Sequence, residues 1–153
     1  LIVAVAEAAK ERPVRLVLAG ANGLNPEMLR RYGHCIDYRG FVTRDDLPAF
    51  FSAGHVLALP SYSEGFGLVQ LEAMAAGLPV IRSESSGNAA RDGEEGLVVP
   101  AGDPDAIKNA ILRLAENRRE LRGMGDNARR RVADFSAEEC TRRWRAVVAD
   151  LTG

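Results

Sequence analysis

Residues 60–81 read PSYSEGFGLVQLEAMAAGLPVI, and the way this stretch breaks into elements decides the architecture. Just before it, Gly54 to Leu59 form an apolar run too short for a helix and closed by Pro60, which predicts a short buried strand. Ser61 to Gly67 reads as a loop, with Gly65 and Gly67 where the backbone must bend or approach another group closely. From Leu68 a helix is predicted to run to Ala76 and stop at Gly77, with Pro79 beyond it. The unit is strand, loop, helix.

That helix carries Leu68, Val69, Leu71, Ala73, Met74, Ala75 and Ala76, leaving only Gln70 and Glu72 polar. A helix apolar on nearly every side is expected to be buried. An unpaired carboxylate in such a place costs several kcal/mol, so Glu72 is expected to have a partner. One reading supplies an internal arginine or backbone amides; the other supplies a ligand offering two hydroxyls. Glu64 lies in the glycine loop at the C-terminal end of the predicted strand, where open parallel sheets bind ligands. Between the two glutamates, Gly65-Phe66-Gly67-Leu68 offers unobstructed backbone N–H groups at a helix start, a setting that favours phosphate. Two carboxylates for hydroxyls and an amide nest for phosphate suit a sugar joined through a diphosphate to a ribose.

Glu64 and Glu72, with seven residues between them inside this block, resemble the E-x7-E motif of retaining GT-B glycosyltransferases. The flanking strand, loop, helix and Gly77-x-Pro79 turn match as well. The resemblance implies that Glu64 contacts the donor sugar and is the catalytic residue. It implies that Gly65, Phe66, Gly67, Leu68 and Val69 meet sugar and phosphate, that Glu72 holds the ribose, and that Gly20 and Val42 complete the donor site. It further implies hexose transfer from a nucleoside diphosphate sugar, with no cofactor and no protein-bound metal. Residues 1–153 would be the donor-binding domain, truncated at its N-terminus, with the acceptor-binding domain of the same chain as its partner. In relatives a glycine pair followed by Pro-Glu is common where this chain has Ser85-Ser86-Gly87-Asn88-Ala89, so Asn88 takes the glutamate's place. A non-catalytic nucleotide-binding or assembly module and a GT-B epimerase are the alternatives.

Composition agrees with that range. The 153 residues suit one domain with a substantial core, and 20 lysines and arginines against 21 aspartates and glutamates argue against nucleic acid or an anionic membrane as main partner. Membrane association is expected only through the missing half. Cys35 and Cys140 stand far apart, which suggests a reduced, cytoplasmic setting. Leu1 to Arg12 reads as a helix and Val14 to Gly20 as a strand closed by Gly20-Ala21-Asn22-Gly23. A helix over Pro26 to Tyr32 with Asn25 as N-cap, a strand from Ile36 to Phe41, and a Thr43-capped helix over Arg44 to Ala53 follow. Beyond the central unit come strands Pro79 to Arg82 and Leu97 to Pro100, with a loop or a single helical turn between. Next are a helix capped by Asp103 and started by Pro104, another over Glu120 to Ala133, and a last one behind the capping box Ser136 to Glu139. At least four βα units in series predict a mainly parallel, doubly wound sheet with helices on both faces, as in the C-terminal half of a GT-B fold.

Several tempting motifs have simpler explanations. Asp103-Pro104-Asp105 spells D-x-D, but helix capping accounts for both carboxylates without a metal. Gly65 to Gln70 nearly spells the dinucleotide fingerprint, yet Gln70 stands where its third glycine belongs. His34 and His55 have no ligand-like spacing, Arg118-Arg119 and Arg129-Arg130-Arg131 read as solvated helix faces, and Trp144 reads as packing.

Overall fold

The computed structural model describes residues 1–21 and 24–152, so the part of the expected turn at Asn22 and Gly23 lies outside the described residues. The chain starts with α1 (Ile2–Glu11), β1 (Leu16–Leu18), α2 (Pro26–Tyr32) and β2 (Ile36–Tyr38). It continues through α3 (Leu47–Ser52), β3 (Leu57–Leu59), α4 (Val69–Ala75), β4 (Val80–Ser83) and β5 (Gly96–Val99). Three helices close it: α5 (Pro104–Glu116), α6 (Arg118–Arg131) and α7 (Ala137–Thr152). Every strand pairing is parallel, as the βα repeat requires. The ladders form two sheets, β1-β2 and β3-β4-β5. Helix α1 ties them together, Ala4 packing with Ile81, Leu97 and Val99, and Val5 and Ala6 packing with Leu16.

Strand β4 explains why helices cover both faces. Its alternating side chains send Val80 toward Met74 of α4 and Ala128 of α6, and Ile81 toward Ala4 of α1 and Ile107, Ala110 and Leu114 of α5. Gly96 lets β5 approach, because a Cβ there would collide with the Val80 carbonyl. No helix among the described residues is long and apolar enough to cross a membrane.

Caps set most boundaries. Asn25 Oδ1 accepts from Glu27 N–H at 2.8 Å, and Asp103 Oδ1 accepts from the N–H groups of Asp105 and Ala106 at 3.0 and 2.9 Å. The carboxylate of Asp103 is therefore engaged by its own helix. Helix α4 ends as predicted: Gly77 takes φ +85°, its N–H bonds to Met74 O at 2.9 Å, and Leu78 N–H bonds to Ala73 O at 3.0 Å.

Other expectations are corrected. Helix α3 begins at Leu47, not Arg44, because Pro48 belongs in a first helical turn. The Thr43 hydroxyl bonds to Asp46 Oδ2 at 2.6 Å instead of capping the helix. Strand β3 is half-buried along its length rather than buried. Ser136 Oγ accepts from Glu139 N–H at 3.2 Å, but the reciprocal limb of the capping box is absent, since Glu139 binds Arg142 and Arg143. Arg129 and Arg131 are not simple solvated positions: Arg129 donates to Ala76 O at 3.1 Å and Arg131 Nε to Ala89 O at 2.8 Å. Trp144 is 70% exposed, and with Val147, Val148 and Leu151 it forms the apolar side of α7 in place of a packed one.

Candidate functional site

The C-terminal ends of parallel strands carry the loops that such sheets use for binding, and β3 delivers the 60–68 loop there. Gly67 shapes it, with φ +70° and its α-carbon tucked against Leu59 and the Glu64 side chain. A Cβ at that position would lie 3.0 Å from Leu59 Cδ2 and 3.3 Å from Glu64 Cγ. Among the described residues, the amide N–H groups of Gly65, Phe66, Gly67, Leu68 and Val69 have no hydrogen-bond acceptor. Glu64 N–H, by contrast, donates to Ser85 O at 3.3 Å, so the loop is pinned just before its free amides begin. Helix α4 has only seven residues. The loop amides themselves, more than a helix dipole, therefore make this edge attractive to an anion.

Both glutamates face outward. Glu64 is exposed, as expected for a loop tip. Glu72 is exposed too, which corrects the expectation of a buried carboxylate needing a partner. Helical geometry gives the reason: Leu68, Glu72 and Ala75 fall on one side of α4 and are exposed, while Gln70, Ala73 and Met74 fall on the other and are buried. Neither Glu64 nor Glu72 forms an ion pair or side-chain hydrogen bond among the described residues. One turn of helix separates the Glu72 side from Leu68, itself 69% exposed, so the apolar character of this helix concealed a solvent-facing stripe.

Within the loop Tyr62 is 80% exposed, and beyond the end of β2 Phe41 is 85% exposed. Gly20 has φ +117° and its N–H donates to Gly40 O at 2.8 Å, joining the ends of β1 and β2, with Val42 two residues on. Two cavities lie elsewhere among the described residues. One, of about 440 Å³, is bordered by Ala137, Thr141 and Arg145 of α7, and one, of about 310 Å³, by Arg91, Asn127, Arg130 and Asp134. The glycine loop is exposed from Tyr62 to Phe66 and at Leu68.

The second cavity borders a carboxylate that the sequence reading missed. Glu95 is 1% exposed and accepts from Arg91 N–H at 2.9 Å, Arg91 Nε at 3.1 Å and Arg91 Nη2 at 2.5 Å, with Arg131 Nε at 3.7 Å. Burial pushes this carboxyl up, but the Arg91 hydrogen bonds and the Arg131 charge outweigh it and hold Glu95 below the usual carboxylate range. No periodic signal marks Glu95, because it sits in a turn, and its burial depends on α6 folding over it.

The family described as Glycosyl transferases group 1 matches residues 1–117. The D-inositol 3-phosphate glycosyltransferase of Streptomyces bingchenggensis is 33% identical over 93% of this chain and 33% of its own length. The sucrose-phosphate synthase of Thermosynechococcus elongatus superposes with a TM-score of 0.80 at 31% identity, over 97% of this chain and 42% of that one. Anabaena HepE, solved in complex with UDP-glucose, shares the fold at 20% identity, with a TM-score of 0.78 over 96% of this chain and 44% of that one. The chain thus spans about a third of the curated relative it matches.

Proposed function

Since this chain belongs to the glycosyl transferases group 1 family, we propose that its glycine-loop edge binds the nucleoside diphosphate sugar of a hexosyltransferase that retains anomeric configuration. The observation that carries this reading is two exposed carboxylates, Glu64 and Glu72, flanking five backbone amides, none of them with a partner among the described residues. A hydroxyl-rich sugar needs acceptors, and a diphosphate needs donors. Glu64 orients the donor hexose. The amides of Gly65 to Val69 meet the diphosphate and stabilise the charge that builds on it as the C1–O bond breaks and a new C1–O bond forms to the acceptor on the same face. Glu72 holds the ribose, so its part is binding, and Gly20 and Val42 complete the donor site. Neutralisation by amides makes a protein-bound metal unnecessary, and no organic cofactor is called for. The acceptor half of the cleft is supplied outside residues 1–153.

The test is product analysis with the full-length protein, nucleotide hexoses and candidate acceptors. Transfer with the anomeric configuration kept, undiminished by a chelator, supports the reading. Binding without turnover, or epimerised donor, overturns it. Calorimetry with UDP and GDP identifies the base.

A further inference from the structure

Two loops meet at the candidate donor edge: residues 60–68, which carry Glu64, and residues 84–91, which follow β4. Beneath them lie two buried polar side chains that the proposed chemistry does not use, Gln70 at 0% and Arg82 at 8% exposure. Arg82 Nε donates to Ala90 O at 2.8 Å, and its Nη1 donates to Ser83 O and Ser86 O, each at 3.1 Å. The Gln70 amide donates to Gly87 O at 2.8 Å and, in the opposite direction, to Phe66 O at 2.9 Å. Arg82 thus holds both ends of the second loop, and Gln70 joins its middle to the glycine loop. The junction is close-fitting, since a Cβ on Gly87 would lie 2.6 Å from Phe66 O and 2.7 Å from Gly65 O. Hydroxyl bonds run the same way, from Ser83 Oγ to Ser61 O at 2.5 Å and Ser86 Oγ to Leu59 O at 3.4 Å.

Neither side chain is explained by core stability. Arg82 is a buried cation with no carboxylate in contact among the described residues; burial pushes its pKa below the usual arginine value, and Asp92 is the charge that partly offsets this. Gln70 leaves its own Oε1 buried without a partner. Apolar side chains of similar volume would carry neither penalty, but they would not join the loops. We propose that Gln70 and Arg82 form a clamp that positions Glu64, by fixing the 84–91 loop whose Ser85 carbonyl receives the Glu64 amide. This rests on the donor-site reading above.

The test uses Gln70→Leu, Arg82→Met and Arg82→Lys in the full-length protein, read first by amide hydrogen exchange. The clamp predicts exchange about tenfold faster at the hydrogen-bonded amides of Glu64 and Ser86 in Gln70→Leu and Arg82→Met, with β4 and α5 protected as in the parent. Arg82→Lys recovers part of the protection, because one ammonium cannot span carbonyls on both sides of the loop. In turnover, kcat falls about tenfold or more, and the loss vanishes in a Glu64→Ala background, since the clamp has no carboxylate left to position there. Unchanged exchange at Glu64, or losses that simply add to that of Glu64→Ala, overturns the clamp. Should Arg82→Met fail to fold, Gln70→Leu removes two neutral hydrogen bonds and carries the test alone. A parent protein that transfers nothing sinks the donor reading only, because the exchange measurement still decides the clamp.

Discussion

Glu95 and the pair Glu64 and Glu72 are the same residue type in opposite surroundings. Glu95 is enclosed by β5, the preceding turn and α6, with Arg91 and Arg131 upon it. Glu64, in the 60–68 loop, and Glu72, on α4, stand in solvent with no cation paired to them among the described residues. A carboxylate committed to its own fold has its acceptor capacity filled from within. One that can meet a ligand keeps that capacity free, and solvent makes the freedom tolerable until a ligand arrives.

The largest effect separating the two environments is on stability. Glu95→Ala leaves two arginines turned toward a void and is expected to cost about 3 kcal/mol, on the order of 10 °C in thermal midpoint. Glu64→Ala and Glu72→Ala are expected to stay within about 0.5 kcal/mol of the parent in the same melts. Equal losses at all three positions would erase the contrast. Next comes catalysis: Glu64→Ala in the full-length enzyme should lower kcat about 100-fold, and steady-state kinetics with an unchanged kcat would remove Glu64 from its role. Glu72→Ala should act mainly on binding, weakening nucleoside diphosphate affinity about tenfold by calorimetry.

Acid sharpens the comparison further. Glu95 is held below its unfolded value, so its contribution is present above the ordinary glutamate range, about 4.3, and is lost as pH falls through the folded value. Thermal midpoints should drop below about pH 4, with a shallower slope in Glu95→Gln. The smallest effect belongs to the surface. Glu139, held down to about 2 by hydrogen bonds from Arg142 and Arg143, supports the first turns of α7 until pH falls toward that value. Being solvent-screened, that support should weaken in about 1 M salt, read as faster amide exchange at the start of α7.

Much of this was legible in order along the chain. Asn25, Asp103 and the Gly77-x-Pro79 turn act on amides and carbonyls within a few residues, so their spelling alone placed helix ends. The glycine loop between Glu64 and Glu72 was legible for the same reason. Less visible was which side of α4 faces inward, because apolar residues on both sides leave periodicity silent until β4 and α6 pack against one of them. The arginines of α6 misled similarly: composition reads Arg131 as solvated, yet the 84–91 loop and Glu95 reach it from far along the chain.

By itself the sequence determined the βα alternation, the helix caps and the spacing of two glutamates around a bare backbone, since each depends on neighbours within about one turn. Tertiary structure alone decided that Glu72 is exposed and Glu95 enclosed, that the chain's ladders form two sheets tied by α1, and that Gln70 and Arg82 join two loops. Burial and long-range hydrogen bonds are properties of which surfaces meet. That is settled only when distant segments, each locally well specified, compete to cover one another.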